Sequence, residues 1–201
     1  MPIVLTGASS RSLVHLASAI SNEVKFNGGD WRFEADGDDC KCVIPSEEIA
    51  EITAPGAHVG AVAPRLVSKD APSGDFVLTA EATLDCAENG QECAQTTSHR
   101  AGVMVTLGSG QTLLVERTGA DVRVYAPGYT PSDASSPVIV AVDAGTNVHV
   151  RWERKDDAFT PYFRSGDGNW ERVTYVSSAD GTTKEFTLTA PSATVSAAGV
   201  I

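Results

Sequence analysis

Residues 147–175 (NVHVRWERKDDAFTPYFRSGDGNWERVTY) constrain the fold more than any other part of the chain, because they read as three successive antiparallel strands joined by two polar turns. If the first turn is KDDA at 155–158, the strands on either side of it pair with Arg154 opposite Phe159. Side chains alternate across a strand, so the two sides of this hairpin differ in chemistry. The apolar side carries Val150, Trp152 and Phe163, and the polar side carries His149, Arg151, Tyr162 and Arg164. We therefore expect a core on one side and an exposed polar surface on the other.

Strand signals recur at close spacing along the rest of the chain, with turn-forming residues between them. Alternating or β-branched segments stand at 30–34, 40–44, 75–85, 100–107, 111–117, 121–125, 138–142 and 184–190. Roughly ten short strands, with no break in composition, are typical of a β-sandwich or barrel. The sequence therefore predicts an all-β, antiparallel two-sheet sandwich domain over residues 26–201.

Residues 1–25 differ from the rest and read as a short N-terminal extension. Serines at 9–12 and an apolar stripe within 13–20 favour a short helix. A terminal strand, buried or at a sheet edge, is the alternative. Further along, PSEEIAEI at 45–52 has the proline and glutamates of a helical turn. In these two places the sequence predicts helix rather than the surrounding strand.

The net charge of −11 limits the partners that the chain can bind. Phosphate backbones and anionic lipid surfaces both require concentrated positive charge, so neither a nucleic-acid nor a membrane-surface partner is expected. No run of about 18 apolar residues occurs, which argues against a membrane span. The first residues also lack the charged start and apolar stretch of a secretory signal, so the protein is either cytoplasmic or has lost its signal.

The four cysteines favour an exported protein. Cys86 and Cys93 flank AENGQE, whose Asn-Gly pair is a strong turn former, so a disulfide across the base of this hairpin is geometrically plausible. Cys40 and Cys42 form a C-x-C pair whose partner stays open, because crosslinks to residues 86 and 93 are also allowed. A zinc site is the rival interpretation, although neither pair has the common C-x2-C spacing. Oxidised cysteines would indicate a secreted or extracellular protein.

The densest acidic loop contains Asp36, Asp38 and Asp39. Hard cations take several oxygen ligands, so these carboxylates are a candidate calcium site. The loop lacks the full D-x-D-x-D-G pattern with its later glutamate, and an ordinary turn rich in aspartate and glycine is the favoured interpretation. No other cofactor is indicated.

Four segments together resemble a known family. They are GDF at 74–76, RAGVMV at 100–105, VRWER at 150–154 and SGDGNW at 165–170. This order resembles the concanavalin A-like jelly roll, more narrowly its DUF1349 and laminin-G-like branch, over roughly residues 26–188. In the late hairpin, the matching residues are Arg154, Asp157, Phe159, Tyr162, Ser165, Asp167, Gly168 and Trp170. The resemblance implies a jelly-roll sandwich that holds ligands on a concave sheet face.

The chain departs from this family pattern in three places. The cysteine loop at 86–93 is an insertion, and residues 1–25 have no clear counterpart. Residues 110–114 lack the aromatic side chain that the family often has on that strand. The last departure weakens the case for a sugar platform on that strand.

The polar side of the 147–175 unit is the leading candidate site. Aromatic rings stack on the apolar faces of sugars, while arginine and histidine bond hydroxyls or pair with acidic groups. On another predicted strand, Arg123 and Tyr125 share a side and could extend this surface. The alternative is a plain solvated sheet surface, which antiparallel sheets commonly expose. Trp170 is expected to pack over the hairpin on its apolar side.

The leading hypothesis is a non-catalytic carbohydrate-binding module of jelly-roll type. A structural protein that assembles through its termini is the second, because residues 13–20 and 190–201 are apolar and could join a neighbour's sheet edge. A polysaccharide-degrading enzyme is the third. Glycosidases need two neighbouring carboxylates, whereas Glu81, Glu116 and Glu153 stand on different predicted strands. A lyase could use the histidine, arginine and tyrosine of the polar side.

Overall fold

The computed structural model describes residues 3–7, 23–26, 29–35, 40–46, 49–53, 64–84, 100–119, 121–142 and 147–201. In this part of the chain every regular element is a β-strand, which confirms the predicted all-β class. In chain order the strands are β1 (Ile3–Gly7), β2 (Glu23–Phe26), β3 (Gly29–Glu34), β4 (Lys41–Ser46), β5 (Ile49–Thr53), β6 (Arg65–Ser68), β7 (Phe76–Leu84), β8 (Ala101–Leu107), β9 (Thr112–Thr118), β10 (Asp121–Tyr125), β11 (Val138–Ala141), β12 (Val148–Lys155), β13 (Ala158–Ser165), β14 (Glu171–Arg172), β15 (Thr174–Val176), β16 (Thr183–Glu185), β17 (Leu188–Thr189) and β18 (Val195–Val200).

The described strands form two large sheets and one small one. The first sheet runs in the order β14–β13–β12–β7–β1–β5–β4, with β17 also pairing with β13. The second sheet runs in the order β11–β10–β9–β8–β18–β6–β3–β2, and β15 pairs separately with β16. Most neighbours are antiparallel, as predicted, but β1 is parallel to both β5 and β7. The arrangement is a mainly antiparallel β-sandwich.

The inner faces of the two large sheets share one apolar core. Val150 and Trp152 of the first sheet are fully buried, and so are Val103 and Val115 of the second. Along each of these strands every second side chain turns inward, as the sequence alternation predicts. Burying one side chain of this size stabilises the fold by about 1.5–3 kcal/mol. The apolar side of the β12–β13 hairpin is therefore part of the core, as expected.

The β12–β13 hairpin has the predicted register, with Arg154 opposite Phe159. Its turn residue Asp156 has a φ of 54°, in the left-handed region that aspartate tolerates better than most residues. The backbone N–H of Asp156 donates to Asp75 Oδ1 at 2.7 Å, which ties the turn to the start of β7. Because a one-residue slip would exchange the two sides of the hairpin, this turn decides which side chains face outward.

One prediction of helix needs correction. At 45–52, β4 and β5 form an antiparallel hairpin instead of a helical turn. Ile44 and Ile52 pack against the core, and this burial outweighs the local helical signal. At the N-terminus, β1 is an interior strand between β5 and β7, so this strand does not lie at a sheet edge. The apolar stripe at 13–20 lies outside the described residues.

The C-terminal segment completes the second sheet of its own chain. Strand β18 lies between β6 and β8, and its Ala198 and Val200 are buried. At Gly199 the strands approach so closely that a Cβ would lie 2.3 Å from the Leu66 carbonyl oxygen. The strand pairs with β8 along its length and with β6 at Gly199 and Val200, so it closes the sheet of its own chain there.

The described residues contain no disulfide. Cys40 and Cys42 are not bonded to each other, and the crosslinks that the sequence allowed from this pair run to residues outside the described chain. Burial raises the pKa of the Cys42 thiol to about 11, which keeps it protonated and unreactive at neutral pH. The predicted bridge between Cys86 and Cys93 lies outside the described residues.

The calcium candidates Asp36, Asp38 and Asp39 also lie outside the described residues. Elsewhere in the described chain, no group of three or more histidine, cysteine or carboxylate side chains could hold a metal ion. A helix long and apolar enough to cross a membrane is likewise absent from the described ranges.

Candidate functional site

Four of the predicted site residues meet on the outer surface of the first sheet. The pairing of β12 with β13 places His149 opposite Arg164 and Arg151 opposite Tyr162. Trp170, which immediately precedes β14, lies over the same surface. We call these five side chains the polar face. They point away from the apolar core because they alternate with buried residues along both strands.

Trp170 belongs to the polar face and not, as the sequence suggested, to the apolar side. The guanidinium carbon of Arg151 lies 3.7 Å from the centroid of the indole, and that of Arg164 lies 5.1 Å from it. The His149 ring meets the indole edge-on, with centroids 6.3 Å apart. Strand β14 pairs with β13, and alternation counted from this pairing turns residue 170 outward. The SGDGNW turn interrupts the sequence pattern, so this alternation could not be counted from the sequence.

The two arginines of the polar face have no carboxylate partner within ion-pair distance among the described residues. Arg151 donates from Nε to Thr79 Oγ1 at 3.3 Å, and the buried Nε of Arg164 has no hydrogen-bond partner in the same part of the chain. Burial lowers the pKa of Arg151, and Arg164 lowers it further, while Glu153 opposes the change. Arginine nevertheless stays charged, so the polar face holds two fixed positive charges.

His149 is the buried member of the polar face, with only 6% of its surface exposed. Its Nε2 lies 4.0 Å from Glu81 Oε2, and its Nδ1 has no hydrogen-bond partner among the described residues. Asn147 Nδ2 donates to the other carboxylate oxygen of Glu81 at 2.7 Å, which fixes that side chain. Burial lowers the pKa of His149, and Arg164 adds to this, while Glu81 and Asp167 oppose it. The imidazole is therefore mainly neutral at pH 7.

Tyr162 is the member of the polar face that lies opposite Arg172 of β14. The guanidinium carbon of Arg172 lies 5.9 Å from the Tyr162 ring centroid, and Arg172 is paired with Glu185. Further along β12, Glu153 and the exposed Val77 line a shallow depression of about 240 Å³. The polar surface thus continues along the first sheet in both directions.

The expectation that Arg123 and Tyr125 extend this surface is wrong. Strand β10 belongs to the second sheet, so both residues lie on the opposite side of the sandwich. Arg123 pairs there with Asp121 at 3.4 Å, and Tyr125 is 44% exposed. Membership of a sheet depends on pairing between distant segments, which the local alternation of a strand does not encode.

Glu116 on the second sheet is a buried carboxylate, which its isolated place in the sequence does not indicate. Glu116 is 3% exposed and its Oε1 lies 3.6 Å from Arg100 Nη1. Its other oxygen, Oε2, has no hydrogen-bond partner within the described ranges. Burial raises the pKa of Glu116, and Arg100 and Arg123 oppose the rise. The negative charge of Glu116 is countered by two arginines of its own sheet. The positive charges of the polar face have no such partner at ion-pair distance in the described chain.

A second network that the sequence did not reveal surrounds Asp133. Its Oδ2 accepts from Ser177 Oγ at 2.6 Å and from Lys184 Nζ at 2.9 Å, and the latter two atoms lie 3.2 Å apart. Hydrogen bonding to Asp133 raises the pKa of Lys184, so this lysine stays charged and cannot act as a base toward the serine. Ser177 is also fully buried. The network therefore fastens the loop at 127–137 to the β15–β16 hairpin.

Comparisons with protein-family models, with curated proteins and with solved structures each found no match. What the structure defines is a class of protein: a β-sandwich whose first sheet carries a cationic and aromatic surface. The function of the chain is therefore argued from that surface.

Proposed function

We propose that this protein is a non-catalytic carbohydrate-binding module that holds a glycan on the polar face. The observation that carries the proposal is the presence, on one sheet surface, of two aromatic rings beside two guanidinium groups that lack carboxylate partners in the described chain. Aromatic side chains pack against the apolar faces of sugar rings, and guanidinium groups donate several hydrogen bonds within one plane. The polar face combines both requirements of saccharide recognition.

The contacts of Arg151 support this proposal because they hold the side chain in place before a ligand binds. Its guanidinium packs on the Trp170 ring at 3.7 Å and also donates to Thr79. An arginine side chain carries about 2 kcal/mol of rotamer entropy, part of which is normally lost on binding. A side chain that is already ordered avoids this loss, so more of the contact energy contributes to affinity.

The resemblance to the concanavalin A-like jelly roll also favours a ligand on a sheet surface. The polar face continues along β12 toward the depression beside Val77 and Glu153. An open surface of this kind suits an extended chain of sugars better than a single small molecule, since small molecules are usually enclosed in concave pockets. We therefore expect the glycan to lie along the strands of the first sheet.

The carboxylates near the polar face favour binding over hydrolysis. The two carboxylates concerned are Glu81 and Glu153. Glu81 lies opposite His149, and Glu153 is four residues further along β12. At about 3.3 Å per residue this separation is about 13 Å, whereas glycosidases hold their two carboxyl groups roughly 5–9.5 Å apart. Lyase chemistry is the alternative, but His149 is 6% exposed and is poorly accessible to a proton on a bound sugar.

Isothermal titration against a panel of neutral and acidic oligosaccharides tests the proposal. We expect binding by the wild-type chain, loss of binding in Tyr162→Ala and in Arg151→Ala, and no change in Tyr125→Ala, a matched control on the second sheet. No binding to any class of glycan would overturn the proposal. A rise in ultraviolet absorbance during incubation, from an unsaturated product, would replace it with the lyase alternative.

A further inference from the structure

Arginines elsewhere in the described chain are satisfied by partners of their own fold. Five are paired with carboxylates: Arg32, Arg65, Arg100, Arg123 and Arg172. Two donate to backbone carbonyl oxygens: Arg117 and Arg154. Arg151 and Arg164 differ, because in the described chain neither reaches a carboxylate or a carbonyl oxygen. The polar face therefore holds two cations around one indole ring, neither with a carboxylate within ion-pair distance in the described chain, although the net charge of the protein is −11.

Buried polar atoms of the polar face show that its hydrogen-bonding capacity is not filled by the described residues. Arg164 Nε and His149 Nδ1 are both shielded from solvent and lack hydrogen-bond partners among the described residues. His149 is more than nine-tenths buried, and Arg164 lies directly opposite it on β13. Buried polar groups in folded proteins are normally hydrogen-bonded, so the Arg164 guanidinium group still has donor capacity that no partner in the described chain uses.

We infer that the polar face recognises an acidic saccharide, whose carboxylate or sulfate group is bound between Arg151 and Arg164. This inference rests on the proposed function and names its ligand class. An anion at this position would relieve the repulsion between the two guanidinium groups and supply the acceptors that they lack. The sugar ring that carries the anion would pack against the neighbouring aromatic side chains.

The contact with Trp170 leaves the arginines able to bind such a group. A guanidinium group packed on an aromatic ring through its face keeps its N–H donors in its own plane, directed away from the ring. The same planar arrangement of donors matches the oxygens of a carboxylate or sulfate in a bidentate contact. Stacking and anion binding are therefore compatible at one side chain, and Trp170 orients the donors.

Matched saccharides that differ in one acidic group test this inference. The full chain is titrated with oligogalacturonate and with its methyl ester, and separately with sulfated and unsulfated galactan oligosaccharides. We expect each acid to bind about 10- to 100-fold more tightly than its neutral counterpart, as one to two charge-assisted contacts imply. The two pairs distinguish a carboxylate from a sulfate as the preferred source of charge.

Variants of the two arginines connect the preference to the polar face. Arg151→Gln and Arg164→Gln should each reduce the preference for the acid about tenfold or more, whereas Arg151→Lys, which keeps the charge but loses the planar donors, should reduce it less. Arg32→Gln, which removes an equal charge from the second sheet, is the control and should keep the full preference. Circular dichroism confirms that each variant is folded.

The outcomes separate this inference from the function on which it rests. Equal binding of acid and ester, with binding still lost in Tyr162→Ala, would overturn the inference and leave the carbohydrate-binding proposal standing. A preference reduced as much by Arg32→Gln as by Arg151→Gln would show a general charge effect and overturn it as well. No binding of any saccharide would remove the proposed function, and the inference with it.

Discussion

The two large sheets both carry arginines on their outer surfaces, but they hold them in different ways. On the second sheet, Arg65 contacts Glu34 at 2.6 Å, and the carboxylate cancels its charge. On the first sheet, Arg151 and Arg164 contact the indole ring of Trp170. A ring orients a guanidinium group and attracts it weakly, but it leaves the positive charge in place. The second sheet is thus neutralised by its own side chains, while the polar face keeps its charge for a partner.

Removal of the ring should give the largest effect. In Trp170→Ala we expect the free energy of unfolding to fall by about 1–2 kcal/mol, because two cation–π contacts of roughly 0.5–1 kcal/mol each are lost. Tyr125→Ala, which removes an exposed ring from the second sheet, should change it by no more than about 0.5 kcal/mol. Urea denaturation measures both. Equal effects of the two substitutions would show that Trp170 does not organise the polar face.

Acidification tests the buried histidine of the polar face. The folded-state pKa of His149 is lowered from 6.5, so the unfolded chain binds the proton first as the pH falls. Neutral His149 therefore makes its full contribution to the free energy of unfolding above pH 6.5. That contribution is lost as the pH falls from 6.5 through the lower folded-state pKa. One proton limits the slope to about 1.4 kcal/mol per pH unit.

His149→Gln should flatten the pH dependence of stability between pH 7 and about pH 5. Urea denaturation at several pH values measures it. The charged groups that face the imidazole are Glu81 on β7, Arg164 on β13 and Asp167 in the following turn. Replacing Arg164 by Gln should make the loss of stability smaller, because without the neighbouring cation the folded-state pKa of His149 lies closer to its ordinary value. An unchanged pH profile in His149→Gln would assign the dependence to other groups.

The buried carboxylate of the second sheet should respond to pH with the opposite sign. Burial raises the folded-state pKa of Glu116 above 4.5, so the folded chain holds the proton more tightly than the unfolded chain. Protonated Glu116 makes its full contribution to the free energy of unfolding below pH 4.5, and this contribution is lost as the pH rises through the folded-state pKa. Glu116→Gln should remove this loss and leave the protein at least as stable at neutral pH. A less stable variant at pH 7 would show that the pairing with Arg100 outweighs the burial of the charge.

The sequence predicted the parts of the molecule that depend on local alternation. The β12–β13 register followed from a two-residue turn and a two-residue period, and it placed His149, Arg151, Tyr162 and Arg164 together. Trp170 was assigned to the wrong side because a turn separates it from the strand whose pattern could be counted. The charge state of the polar face was not predictable either, since pairing of each arginine depends on which strand lies beside it.

Pairings between distant segments account for the other differences. Parallel pairing of β1 with β5 and β7, the hairpin at 45–52 and the place of β10 in the second sheet all depend on long-range contacts. Ile52 shows the reason: its neighbours in sequence favour helix, yet its burial against the core decides for strand. Fold class was therefore accessible from the sequence, but the extent of the candidate site was not.

The smallest effect on stability should come from giving Arg151 a carboxylate within ion-pair distance, which it lacks in the described chain. Thr79 accepts a hydrogen bond from Arg151, so Thr79→Asp places an anion beside that guanidinium, as on the second sheet. We expect a net change in stability within about 1 kcal/mol, because an exposed ion pair of about 0.2–1 kcal/mol is offset by the poor strand propensity of aspartate.

The preference of Thr79→Asp for acidic over neutral saccharide should nevertheless disappear, since the new carboxylate competes for Arg151. Ile139→Asp adds the same charge to the second sheet and should keep the preference. If Thr79→Asp also keeps the preference for the acidic saccharide, then the lack of a carboxylate beside Arg151 does not cause that preference. The difference between the two sheets would then affect stability alone.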